Sequence, residues 1–129
     1  VDRVIADSDV LVDFIEERGA AAQVAQLLAA GNLATTAVNV YELYRGCASD
    51  DELAEVRRCL RGVRIHPVND PAAKRAADVD RDLRRRGLRI GERDTLVAGV
   101  ALVSGMPVLT GNVEHFRRVA GLRVLKARR

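Results

Sequence analysis

The sequence predicts an α/β domain of three layers, with helices on both faces of a mostly parallel five-stranded sheet. Three observations carry that expectation. Short segments that read as strands recur at residues 4–6, 33–36, 63–65, 107–109 and 122–125. Between them lie stretches in which apolar residues return at helical spacing, the rhythm of strands joined by helical crossovers. At 129 residues, 48% hydrophobic and 30% charged, the chain is long enough to bury a core without metal or disulfide. No linker or internal repeat divides it, so residues 1–129 are expected to form one domain.

The first apolar run, Val4-Ile5-Ala6, ends in an acid. Val10, Leu11, Phe14 and Ile15 then give one helical face, stopped at Gly19. A second helix carries Val24, Leu27 and Leu28 and ends with Gly31 at C′. After the second strand, Val40, Leu43, Tyr44 and Cys47 share a face at i, i+3, i+4 and i+7. Ser49 with Glu52 forms a capping-box pattern, opening a helix through Leu53, Val56 and Leu60 to Gly62. Asp70-Pro71 reads as a cap followed by proline at the first helical position, with Gly87 ending that helix. Leu96, Val97, Val100 and Val103 mark a last long helix closed by Gly105.

Composition narrows the partners. No run approaches a membrane span, and no leader pattern opens the sequence, so a cytoplasmic protein is expected. Cys47 and Cys59 fit no zinc spacing and read as two buried thiols. Lysine and arginine total 21, of which only Lys74 and Lys126 are lysine. Arginine suits bidentate phosphate contacts. With aromatics at 3% and no tryptophan, recognition of single strands by base stacking has few side chains to use.

Ligands of parallel sheets sit beyond the carboxyl ends of the strands, and acids gather there. Asp7 closes the first strand; either Ser8 or Asp9 is expected to cap the helix that follows. Asp94 shares a helical stripe with Val97, Ala98 and Ala101, so it projects from the side facing the core, where a carboxylate needs a cation or donors. Glu42 lies in the helix after the second strand. Three acids at one sheet edge repel one another, and their convergence points to a hard cation with oxygen ligands. Without it, that repulsion is expected to leave Asp94→Asn equally or more stable.

Asp7-Ser8-Asp9 followed by Val10-Leu11-Val12 resembles the amino-terminal D-(S/T)-(S/N/D) signature of PIN domains. Glu42-Leu43 after Thr36 resembles their second acidic position, and Asp94-Thr95-Leu96-Val97-Ala98 their D-x-L-(I/V)-A helix. The segment from Thr110 through Gly111, Asn112, Glu114 and His115 to Phe116 is similar to their T-x-(N/D)-x-x-(D/H)-F element. The short length resembles the VapC-type toxins of bacterial toxin–antitoxin pairs.

That resemblance implies an Mg²⁺- or Mn²⁺-dependent endoribonuclease. Asp7 and Asp94 would hold the metal, with Glu42 binding directly or through water. Ser8, Asp9, Thr110 and Asn112 would position carboxylates and water. It also implies an antitoxin partner and a homodimer. Asn112 departs from the family, which often has an acid there, and Glu114 is not expected to replace it. His66 and His115 read as structural or surface residues. Arg84, Arg85, Arg86, Arg89 and Arg93 form a basic segment expected to attract RNA phosphates. Two rival readings start from the same residues. One is a phosphatase of the haloacid dehalogenase class with Asp7 as nucleophile. The other is an interaction domain of the PIN type whose active site has decayed.

Overall fold

A computed structural model describes residues 3–129. The order of elements is β1 (Val4–Ala6), α1 (Ser8–Ile15), α2 (Ala21–Ala29), β2 (Leu33–Thr36), α3 (Ala37–Arg45), α4 (Asp50–Cys59), β3 (Arg64–His66), α5 (Asp70–Arg85), α6 (Glu92–Ser104), β4 (Val108–Thr110), α7 (Val113–Arg117) and β5 (Val124–Lys126). The five strands lie in the order β3-β2-β1-β4-β5, and every pairing is parallel. No helix among the described residues is long and apolar enough to cross a membrane.

The period of two along each strand divides the core between the two faces of the sheet. Val4, Ala6, Leu33 and Leu109 pack on one face with Val10 and Leu11 of α1, Val24 of α2, Leu43 of α3 and Val56 of α4. Ile5, Ala34 and Val108 pack on the other with Val79 and Leu83 of α5, Val97 and Val100 of α6, and Phe116 of α7. Helices α5 and α6 approach very closely at Gly99. A Cβ there would stand 2.6 Å from the Ala72 carbonyl oxygen, so only glycine permits the contact.

Several local expectations shift by a residue. Helix α5 is capped by Asn69, whose Oδ1 accepts from the Ala72 amide at 3.1 Å, and Asp70 is already helical. A cap must be the last extended residue, and that residue is Asn69. At α4, Ser49 accepts from the Glu52 amide as expected, but Glu52 reaches back to the Ala48 amide instead of that of Ser49. Helix α3 stops at Arg45, leaving Cys47 beyond it and only partly buried. Burial does raise the Cys59 thiol, to about 11. Helix α7, five residues long, had no periodic signal to announce it.

Strand order reverses at β1, which pairs with β2 on one side and β4 on the other. The carboxyl edge there is the switch point at which such sheets bind ligands. Asp7 follows β1, Thr110 ends β4, and the first turns of α3 and α6 face the same edge.

Candidate active site

Asp7 is 2% exposed and is itself the N-cap of α1, its Oδ1 accepting from the Ser8 amide at 2.9 Å. The expected caps, Ser8 and Asp9, are already helical, because the chain passes from strand to helix with no intervening turn. Asp7 Oδ1 also accepts from Asn39 Nδ2 and Arg93 Nη2, each at 3.1 Å, and its Oδ2 accepts from Thr110 Oγ1 at 2.8 Å. Burial pushes the Asp7 carboxyl above its ordinary value, and neighbouring Asp9 adds to the rise. Arg93, Thr110 and the Ser8 amide only partly offset it.

Glu42 is brought to Asp7 through Ser8. Ser8 Oγ donates to Glu42 Oε1 at 2.7 Å and accepts from Asn39 Nδ2 at 3.0 Å. Asn39 is fully buried, and its own Oδ1 accepts from Thr36 Oγ1 at 2.6 Å in the capping box of α3. One amide thus locks the start of α3 to Asp7 and Ser8. Sequence reasoning passed over Asn39, although Thr36-x-x-Asn39 is a cap signature placed three residues before Glu42 on the same helix.

Asp94 lies in the first turn of α6, 3% exposed. Its Oδ2 receives His115 Nδ1 at 2.9 Å and Asn112 Nδ2 at 3.3 Å. His115 Nδ1 also lies 2.9 Å from Asn112 Nδ2, so its tautomer sets which of the three groups donates. The histidine read as structural from the sequence therefore sits on a site carboxylate, delivered by α7. Glu114, on the same helix, is exposed and stays apart from the cluster. His66 is elsewhere, at the end of β3, with its Nε2 buried and unpartnered; burial and the charges of Arg64 and Arg3 push its pKa down.

The basic segment divides. Arg93 enters the acid cluster, and its three guanidinium nitrogens take one acid each: Nε donates to Glu42, Nη1 to Asp94 and Nη2 to Asp7. The remaining members stay outside. Arg85 and Arg86 pair with Asp82 at 3.8 and 2.6 Å, Arg89 pairs with Asp80 at 3.1 Å, and Arg84 is exposed. Asp9 also turns away. Its Oδ2 accepts from the Gly111 amide at 2.9 Å and from Arg129 at 3.0 Å, while its buried Oδ1 has no hydrogen-bond partner. Asp9 is therefore committed to the Gly111 amide and Arg129 instead of serving as the acid of a phosphatase pair.

The donor set suits a hard cation. Three carboxylates from three elements already close on one positive group, and carboxylate oxygens are the ligands hard cations prefer. The guanidinium stands where a cation would be drawn. Its charge partly relieves the repulsion expected among the acids. As they stand, no three His, Cys, Asp or Glu side chains among the described residues are grouped as a ready ligand set.

The model of the PIN domain family matches residues 4–122. The chain belongs to the PIN domain family. This PIN domain is 38% identical over 116 residues to "Ribonuclease VapC10" of Mycobacterium tuberculosis, covering 88% of this chain and 85% of that one. It is 24% identical over 125 residues to the "tRNA(fMet)-specific endonuclease VapC" of Shigella flexneri, covering 94% and 95%. Its fold matches the solved structure of DNA-bound VapBC from Salmonella typhimurium with a TM-score of 0.87, at 21% identity and 98% coverage of both chains. VapBC2 from Rickettsia felis, bound to a promoter DNA fragment, gives 0.84 at 19% identity, covering 95% and 97%.

Proposed function

We propose that this PIN domain is a divalent-metal-dependent endoribonuclease, the toxin of a toxin–antitoxin pair. The observation that carries the reading is the convergence of Asp7, Glu42 and Asp94, from three separate elements, on one cationic position at the sheet's switch point. Ribonuclease names among the relatives and VapBC complexes among the structural neighbours support it. Residues 1–129 act in this reading as one domain, its acids drawn from both halves of the chain.

Asp7, Glu42 and Asp94 would hold Mg²⁺ or Mn²⁺, which supplies an acidified water and charge neutralisation at a phosphate. The remaining residues set the geometry. Thr110 and Asn39 fix the two oxygens of Asp7, and Ser8 fixes one oxygen of Glu42. His115 and Asn112 hold Asp94 Oδ2 from the opposite side, leaving Oδ1 toward the centre of the cluster. Such partners orient ligands and tune their basicity. Asn112 brings a neutral amide, so the local negative charge rests on the three acids.

Between α3 and the start of α6, a cavity of about 520 Å³ opens beside Glu42 and Arg93. Tyr41 on its wall is 64% exposed, and the Arg45 guanidinium lies 5.6 Å from the centre of that ring. Cationic and aromatic groups at the mouth of an acidic centre suit a nucleic-acid strand. RNA is the substrate class, and a second copy of the chain and an antitoxin are the protein partners of this reading.

Purified protein incubated with transfer and messenger RNA should produce defined fragments in Mg²⁺ or Mn²⁺ and none in EDTA. Intact RNA under all conditions would leave the decayed interaction domain as the better reading. Co-expression of the neighbouring gene product should relieve growth arrest and co-purify with the toxin. Light scattering on a sizing column reads the dimer.

A further inference from the structure

We infer that Arg93 is an internal counterion that a divalent cation must displace, so that this one side chain sets the metal affinity of the site. The inference rests on the reading of Asp7, Glu42 and Asp94 as metal ligands. Each guanidinium nitrogen is committed to a different carboxylate, so the group fills the space between the acids instead of bridging two of them from one side. A planar guanidinium is broad. Oxygens closing on Mg²⁺ must come to about 2.0–2.1 Å from it, and with Arg93 in place the three acids do not form such a set. The two cations therefore compete for one position.

Arg93 is the group that has to leave. Its neighbour Asp94 is anchored by His115 and Asn112, Asp7 by Thr110, Asn39 and the Ser8 amide, and Glu42 by Ser8, so once Arg93 leaves the acids need only close the space the guanidinium held. The Arg93 side chain is 38% exposed and borders the cavity of about 520 Å³ that also holds Tyr41 and Arg45. Released into that space, the guanidinium joins Arg45 on the side from which a phosphate would approach.

The expected size follows from occupancy. A latch closed about 90–99% of the time lowers apparent metal affinity about ten- to a hundredfold. Titration calorimetry with Mn²⁺ alone, on wild type, Arg93→Gln, Arg93→Lys and Asp94→Asn, tests this without RNA. Arg93→Gln should bind Mn²⁺ about ten- to a hundredfold more tightly than wild type and melt at a lower temperature in EDTA. Arg93→Lys, which keeps the charge but not the three-pronged fork, should fall between them and covers the case in which the neutral variant fails to fold. Wild-type or weaker affinity in a folded Arg93 variant would overturn the latch, while the metal site stands if Asp94→Asn loses binding. If Asp94→Asn binds Mn²⁺ as well as wild type does, the metal-site reading falls and the latch falls with it.

Discussion

Two buried carboxylates six residues apart, Asp7 and Asp13, end in opposite electrostatic states. Asp7 is 2% exposed and Asp13 is 1% exposed, but Asp7 lies deep in the fold while Asp13 is covered close to the surface. Burial is the largest effect on each and pushes both carboxyls up, yet Asp7 is raised and Asp13 is lowered. Depth and partners together make the difference. Asp13 accepts from the Ala20 amide at 3.0 Å and is gripped by Arg18 at 3.0 Å and Arg129 at 2.9 Å. Those two arginines serve Asp13, Asp9 and Glu16, whereas among the described residues one arginine, Arg93, serves Asp7, Glu42 and Asp94. A buried acid with enough cations is a staple, here tying the chain's end and the turn before α2 to α1. A group of buried acids short of cations is a place for one to bind. Perturbed carboxylates mark function only when that count is made.

The sharpest way to break this contrast is to remove one charge at each place. Asp94→Asn, nearly identical in shape, should lower RNA cleavage by about 10²–10³-fold or more, comparable to losing a principal charge-stabilising group. Its melting temperature in EDTA should stay near that of wild type, and the rise on adding millimolar Mg²⁺ should largely vanish. Fragment yield on gels and thermal melts together read both parts. Wild-type cleavage by Asp94→Asn would end the active-site assignment.

Next in size is Asn39→Ala, which releases Asp7 and Ser8 but removes no charge. Cleavage should drop about 10–100-fold, as for other residues that orient metal ligands. Loss of the α3 capping box should cost about 1 kcal/mol in urea unfolding. Asp13→Asn should show the reverse pattern: kinetics like wild type, but a loss of about 1–3 kcal/mol, because buried donors lose their charged acceptor. A cleavage defect in a stably folded Asp13→Asn protein would erase the distinction between staple and site.

Acid titration of stability sharpens the same pair with a smaller signal. Asp7, raised in the folded state, opposes folding when ionised; its contribution improves as pH falls from neutral through its folded pKa and levels off below the ordinary carboxylate value of 3.8. Asp13, lowered in the folded state, stabilises above 3.8, and that contribution is lost as pH falls below it. Relative to wild type in EDTA, Asp7→Asn should flatten the urea midpoint above 3.8, whereas Asp13→Asn should flatten it below. The smallest expected effect lies outside both regions. Neutralising Arg84 and Arg85 should reduce the salt slope of RNA binding by at most about one unit for each phosphate no longer neutralised. An unchanged slope would assign that segment to ion pairing along α5.

The amino-acid sequence by itself determined the architecture and the acids. The central strands β1, β2 and β4 were legible because both faces of the sheet are covered there and every residue is buried, whereas the edge strands β3 and β5 are largely exposed and carry a weaker signal. Asp7 and Asp94 stood out because an acid on a buried strand or an inward helical stripe contradicts local patterning. What failed locally were caps displaced by one residue, since which residue is last to stay extended depends on how each helix docks. Helix α7 was hidden because five residues are too few for a period. The tertiary structure alone decided who neutralises whom. Arg93 belonged to an arginine-rich segment in which every member looked alike, and only packing of the first turn of α6 against β1 and α3 put this one among three acids. His115 reaches Asp94 from 21 residues away and Arg129 reaches Asp13 from 116. Charge pairing acts through space, with no period along the chain, so only the folded arrangement determines it.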